Sequence, residues 1–456
     1  IGGSPIEKSS RYVYQDSLDP QGNFKYLKEP KIMQSGFREK YLQDMDFFFR
    51  TYSEIKTPMI EIFERKFPIE SFKLDIIGDK IKRKISELSD EKEIKAFKRT
   101  YNFSIRTNAC DLIRMVLPAA TLTNVGIFGN GRYFQNLLTE LYSNNLSELK
   151  ELAPKIHHEL SKIIPKYVQR SCIDDYLTET RNNMQELADL TLRNIKPQQE
   201  KDITFLDDNE LSLDQIQKIT NSSAPEKERK LIIQENFLTN LAAQMLYSFS
   251  EHPLRQLRSI VKNLPLENKL EIINTYNGKR KNRRNRPGRA LEFGYPLTMD
   301  ITAGFGIYRD LHRHRMLTQE RQRLTTRLGF EEIPNEIKEI DATDKIKKAI
   351  EVSSNLYEKL RNDYREECQY AVLFGNKIRW SIGMNLREAM HLFELRTSKQ
   401  AHKGYKRLCQ TAHQELLKLN QHLGNLMNFV DYEDYIFPRA DSEAKQRIKA
   451  RKLGLE

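Results

Sequence analysis

The 456-residue chain is longer than one typical domain and points to two. Its 39% apolar content is enough for packed cores, its 30% charged content suits a soluble, helix-rich protein, and its net charge of +12 implies an anionic partner such as a nucleotide, a folate or nucleic acid. No apolar run reaches membrane-span length, no signal peptide is visible, and Cys110, Cys172, Cys368 and Cys409 form no CxxC pair; these features argue against a membrane protein, a zinc site and a disulfide framework, and for a cytoplasmic protein with buried thiols.

The chain starts at Ile1 rather than Met, the expectation for a frame entered internally or a processed start. Ser4-Pro5-Ile6-Glu7-Lys8-Ser9-Ser10-Arg11-Tyr12 gathers hydroxyls, amides and a guanidinium into one tight segment, a natural phosphate cradle. Asp19-Pro20 and Gly22-Asn23 then punctuate a turn-rich stretch. From Phe37 to Phe67 apolar residues recur at three and four (Tyr41, Met45, Phe48, Tyr52, Ile55, Met59, Phe63). This predicts a core-facing long helix or pair of helices. The Lys/Glu-rich segment 68–105 predicts a helical insertion. Asp111-Leu112-Ile113-Arg114-Met115-Val116-Leu117-Pro118 and Asn130-Gly131-Arg132 follow, with helices to about 195. Residues 196–228 are polar and weakly periodic and predict a linker, dividing the chain into units 1–195 and 229–456.

In the second unit, Leu238–Tyr247 and Pro253–Leu264 predict helices. The basic run 279–289 reads as a solvated loop or a nucleic-acid contact. Tyr295–Ile307 predicts a strand pair. Arg313-His314-Arg315 sets two guanidinium forks, suited to phosphates, around an imidazole whose charged form they disfavour. Read alone, it would be the solvated face of an ordinary helix. Asn385 reads as an N-cap with Glu388 at the third helical position, a capping box. On ideal geometry Arg387 and His391 share a face and Arg396 points roughly opposite, while Met384, Met390 and Phe393 belong to the core.

Together these motifs resemble the flavin-dependent thymidylate synthases. Their signature is Arg-His-Arg-x-x-Ser-x-x-Glu-x-Ser-x-Arg-Tyr, with Ala-Arg-x-Val-Leu-Pro, Asn-x-Arg and a helix ending in Leu-Arg downstream. Arg313-His314-Arg315 (with Thr318 for the Ser), Asn385-Leu386-Arg387 and Leu395-Arg396 match in the second half. Ser4–Tyr12, Arg114 before Leu117-Pro118, and Asn130-Gly131-Arg132 match in the first, whose Arg-His-Arg would fall at and before Ile1. A constant offset carries Arg114 onto Gln369, Asn136 onto His391 and Leu141 onto Arg396, so the chain reads as a tandem duplication. The losses are complementary: Arg323, Thr325 and Thr326 replace Ser9, Arg11 and Tyr12, Gln369 replaces Arg114, and Leu141 stands where the second half has Arg396.

The resemblance implies an α+β fold twice over, each unit a helical layer beside a small central sheet. It implies FAD-dependent reductive methylation of dUMP to dTMP, with NADPH and methylenetetrahydrofolate as co-substrates, at one composite site per chain. Glu7, Ser9, Ser10, Arg11, Tyr12, Arg114, Arg313 and Arg396 would hold dUMP, and Arg396 would polarise the uracil ring as the catalytic residue. Arg313, His314, Arg315, Asn385, Leu386, Arg387 and His391 would hold the flavin. The family's Gly-His…Glu-His flavin element has no His near Glu292. No metal and no cysteine nucleophile is called for, and two chains would mimic the family tetramer as a homodimer. The alternatives are a flavin- and nucleotide-binding relic without catalysis, or a basic protein that binds nucleic acid through 279–289; nucleic acid is not the expected partner.

Overall fold

The computed structural model describes residues 3–206, 226–279, 281, 288–293, 297–314, 316–419, 421–425, 427–435, 437 and 440–452. Arg315 and most of the basic run lie outside them.

The first long helix runs Arg38–Lys66, and all seven apolar residues predicted for its inner face are buried. Truncating one of its fully buried rings, as in Phe48→Ala, would cost about 3–5 kcal/mol. It packs on the Glu91–Ile113 helix, which Asp90 caps by accepting the amides of Lys92 and Glu93. The predicted insertion is helical only from Glu91 onward. Between 68 and 90 the chain forms two short 3-10 turns and a Leu74–Arg83 bridge. Pro68 opens this stretch, Gly78 takes a positive φ of 96°, and the Asp75 carboxylate accepts the Gly78 and Lys80 amides. These side-chain bonds compete with helix.

Two antiparallel sheets follow. β1 (Gly3–Glu7) pairs with β2 (Val125–Gly129), with Ser4 opposite Phe128. β3 (Ile203–Leu206), β4 (Leu297–Gly304), β6 (Lys377–Met384) and β5 (Thr318–Arg321) form a four-stranded sheet in the order β3-β4-β6-β5, with Thr318 opposite Gly383. β3 lies inside the stretch predicted as linker. Its four residues, Ile-Thr-Phe-Leu, are too short a run to stand out among charged neighbours, and β4 recruits them as an edge strand. The strand pair predicted for 295–307 is one strand, β4, continuing into the Phe305–Leu311 helix. Gly304 keeps a negative φ, and Ile307 and Leu311, four apart, turn inward.

The duplication is visible in the backbone. The offset that carries Arg114 onto Gln369 carries the Gly131–Tyr142 helix onto Leu386–Thr397 residue for residue, and β2 onto the last five residues of β6. The offset that carries Ser9 onto Arg323 carries Ser4 onto Thr318 with its cross-strand register unchanged. The halves meet where Pro118 bridges Leu373, its own counterpart. There the Ala119 amide donates to Val372 O at 2.7 Å and the Phe374 amide to Leu117 O at 2.9 Å, and the offset converts each bond into the other. Such reciprocity marks a local two-fold relation between the units. One core runs from Tyr26 to Ala444 through both halves; a smaller one gathers around Met184, Leu246 and Leu257. No helix among the described residues is long and apolar enough to cross a membrane.

Candidate active site

The turn after β1 and the end of the Glu91–Ile113 helix create a buried charge cluster. Tyr12 N donates to Ser9 O at 3.1 Å and Arg11 N to Ser9 Oγ at 3.3 Å, which points the Arg11 side chain inward. Arg11, 4% exposed, donates through Nε and Nη2 to the two oxygens of Asp111 at 2.8 and 2.9 Å. Burial alone would lower the Arg11 pKa, but Asp111 more than reverses this. Burial would likewise raise Asp111, but Arg11, with Arg114 beside it, holds it well below the usual carboxylate range. The Tyr12 ring stacks on Phe103 at 5.7 Å, fixing the turn against the helix.

Arg114, 7% exposed, lacks such a fork partner. Its nearest polar neighbours are His402 Nε2 at 3.4 Å and Asp111 at 3.8 Å. His402 belongs to the second half, just before the Lys403–Leu419 helix, and its Nδ1 accepts the Gly404 amide at 3.0 Å. A Cβ on Gly404 would stand 3.1 Å from that ring, so glycine permits the approach. Burial pushes the His402 pKa down to about 3; Asp111 opposes this, and Arg11 and Arg114 add to it. The neutral ring therefore carries its proton on Nε2, facing Arg114. That N–H also lies 3.6 Å from Asp111 Oδ1, and Arg114 keeps only its long contacts to His402 and Asp111, with no two-bond partner.

A second cluster surrounds His314. Its Nε2 accepts Arg396 Nε–H at 2.7 Å, and its Nδ1 lies 3.3 Å from Glu388 Oε1. Burial, then Arg396 and His391, push its pKa down to about 4; the imidazole is neutral as expected, but through these groups rather than the flanking arginines. Tyr405 joins the clusters. Its ring lies 5.3 Å beneath the Arg396 guanidinium and 5.7 Å from the His402 ring, and its hydroxyl bears on Arg11. A third contact links the halves: Glu7 accepts from Arg309 at 3.2 Å and from Arg313 at 2.6 Å.

Within one chain, the contacts between the halves at this site are Glu7 with Arg309 and Arg313, and Arg114 and Asp111 with His402. Ser9, Ser10 and Tyr12 stand in the turn that carries Arg11, while His314, His391 and Arg396 cluster with one another in the second half. Asn385 Oδ1 caps the Leu386–Thr397 helix through Glu388 N at 3.0 Å, as predicted. The reciprocal half of the capping box is absent, because the Glu388 carboxylate turns to His314 instead. Although His391 and Arg396 leave the helix in roughly opposite directions, both reach His314, His391 with ring centroids 5.6 Å apart and Arg396 through Nε at 2.7 Å. Leu386 is half-buried against the core, and Arg387 is exposed.

Sequence reasoning gave no role to His402, Tyr405 or Arg309, and none to the Asp111 carboxylate. Asp111 stands three residues before Arg114, spacing that places them on one helical face. The other three reach the site only through contacts between the halves, which no local pattern records.

The family model for thymidylate synthase complementing protein matches residues 2–166 and 241–419. The chain belongs to this family, the flavin-dependent thymidylate synthases, as a tandem duplication. Its relatives include a UPF0159 protein of Chlamydia muridarum, 33% identical over 98% of this chain and 76% of the relative. A UPF0159 protein of Thermoplasma acidophilum is 30% identical over 99% of this chain and 84% of the relative. The two family matches bracket the two clusters: Arg11 and Arg114 lie in the first, His314 and Arg396 in the second.

Proposed function

We propose that the chain methylates dUMP reductively to dTMP, with FAD, NADPH and methylenetetrahydrofolate, at a composite site that both halves complete. The observation that carries this reading is Arg114, a buried guanidinium with only long contacts to His402 and Asp111 and no two-bond partner, beside an Arg11–Asp111 pair. A buried cation lacking a fork partner is costly unless an anion arrives. A nucleoside monophosphate brings nearly two charges and three acceptor oxygens. Arg114 and the unused N–H groups of Arg11 would take the phosphate.

Arg396, steadied by His314 and stacked over Tyr405, would place its cation beside the uracil ring and favour the ring's ionised form. The flavin's donor set also fits. Arg387 and His391 are exposed one turn apart, Arg313 is half exposed, and Leu395 adds exposed apolar surface on the same helix. When bound, FAD reduced by NADPH supplies the redox chemistry for passage of the folate's methylene group to the ring. A homodimer suits the β1–β2 sheet, where Ile6 and Phe128 share one face and are 74% and 81% exposed.

The test is a visible spectrum of the purified protein followed by dUMP-dependent tritium release with NADPH and methylenetetrahydrofolate. Yellow protein whose release vanishes in both Arg396→Ala and Arg11→Ala is the expected result. Colourless protein that takes up no added FAD would overturn the reading.

A further inference from the structure

We propose that Glu388 is a positioning residue for Arg396: it holds the proton of His314 on Nδ1, so that Nε2 keeps the lone pair that anchors the Arg396 side chain. Arg396 Nε can only donate, so His314 Nε2, 2.7 Å away, must accept. A neutral imidazole that accepts at Nε2 carries its proton on Nδ1. The Nδ1–H then needs an acceptor in a site where His314 is only 7% exposed, and Glu388 Oε1 at 3.3 Å is the one the described residues offer.

Glu388 is available because the helix cap does not use it. Asn385 Oδ1 accepts the Glu388 amide, while the Glu388 carboxylate leaves the expected capping-box partner and crosses to the Arg-His-Arg segment. A residue that pattern reading assigns to helix capping therefore sets a tautomer on another element. Without the carboxylate, the proton is free to move to Nε2, where it would confront the Arg396 N–H, and Arg396 would lose its anchor. With the anchor, Nε is spent on His314 and the two terminal nitrogens of Arg396 stay free for a ligand. Their use on a uracil ring rests on the functional reading above; the tautomer does not.

The experiment is nitrogen-15 NMR of full-length protein labelled in histidine and arginine. His314→Asn and Arg396→Lys variants assign the two signals. In the wild type His314 should show a protonated Nδ1 and a bare Nε2, and the Arg396 Nε–H should be protected from solvent exchange. Glu388→Gln, whose amide oxygen can still accept, should keep both signatures. In Glu388→Ala the ring should shift towards the Nε2–H form and Arg396 Nε–H exchange should rise about tenfold, the loss of one charge-assisted hydrogen bond. A wild-type proton on Nε2, or Glu388→Ala with tautomer and exchange unchanged, would overturn the proposal. Wild-type protein that fails to bind dUMP but shows both signatures would sink the functional reading and still support this one.

Discussion

The halves carry an acidic residue at the same place, Asp111 and Glu366, and treat it differently. In the first, Asp111 clasps Arg11 through two bonds and reaches Arg114 only at 3.8 Å. Its counterpart Glu366 takes Arg323, the residue in the place of Ser9, through two bonds to one oxygen at 2.9 and 2.6 Å. Gln369, in the place of Arg114, is fully engaged: its oxygen accepts the Leu324 amide at 2.9 Å and its nitrogen donates to Glu366 O at 3.1 Å. The second copy satisfies itself; the first does not. A buried guanidinium with only long contacts is where an anion gains most.

The sharpest break would come at the shared carboxylate. Asp111→Asn leaves Arg11 buried without its counter-charge and should cost about 3 kcal/mol of stability in urea unfolding. Arg114→Gln, which copies the residue of the second half, should leave stability nearly unchanged and weaken dUMP binding about a hundredfold by titration calorimetry. A third test uses pH. His402 and His314 titrate near 3 and 4 in the folded chain, below the ordinary histidine value. The unfolded chain therefore takes up their protons first, and stability present above about pH 6.5 should fall on acidification through that window, by up to about 1.4 kcal/mol per pH unit per proton. Urea midpoints measured against pH should show the slope, and His402→Gln should flatten it. The smallest effect belongs to Glu366→Gln. Its pair with Arg323 is 24% and 29% exposed on the two sides, so the loss should be about 1 kcal/mol or less, with dUMP binding untouched.

Where one periodicity dominated, the fold was legible. The Arg38–Lys66 helix needed only its own apolar spacing, and the cap at Asn385 needed only its local chemistry. Where short-range and long-range terms compete, it was not. Residues 68–90 carry helix-compatible charges, but the Asp75 carboxylate and Gly78 turn them into a loop. Ile203–Leu206 becomes a strand because β4 offers an edge. The candidate site divides similarly. Arg11, Arg114, His314 and Arg396 stand in recognisable motifs. His402, Tyr405 and the role of Glu388 depend on how the halves dock, and docking is set by pairings such as Pro118 with Leu373 that have no local signal.

The central claim is that each chain completes one site from its own two halves. Complementation tests it directly. Arg114→Gln and Arg396→Ala chains, each inactive alone, are co-expressed, the mixed dimer is purified, and dUMP-dependent tritium release is measured. A site built within one chain predicts no recovery, because every chain carries one broken half. Recovery in the mixed dimer would contradict it and place the completing half on the neighbouring chain.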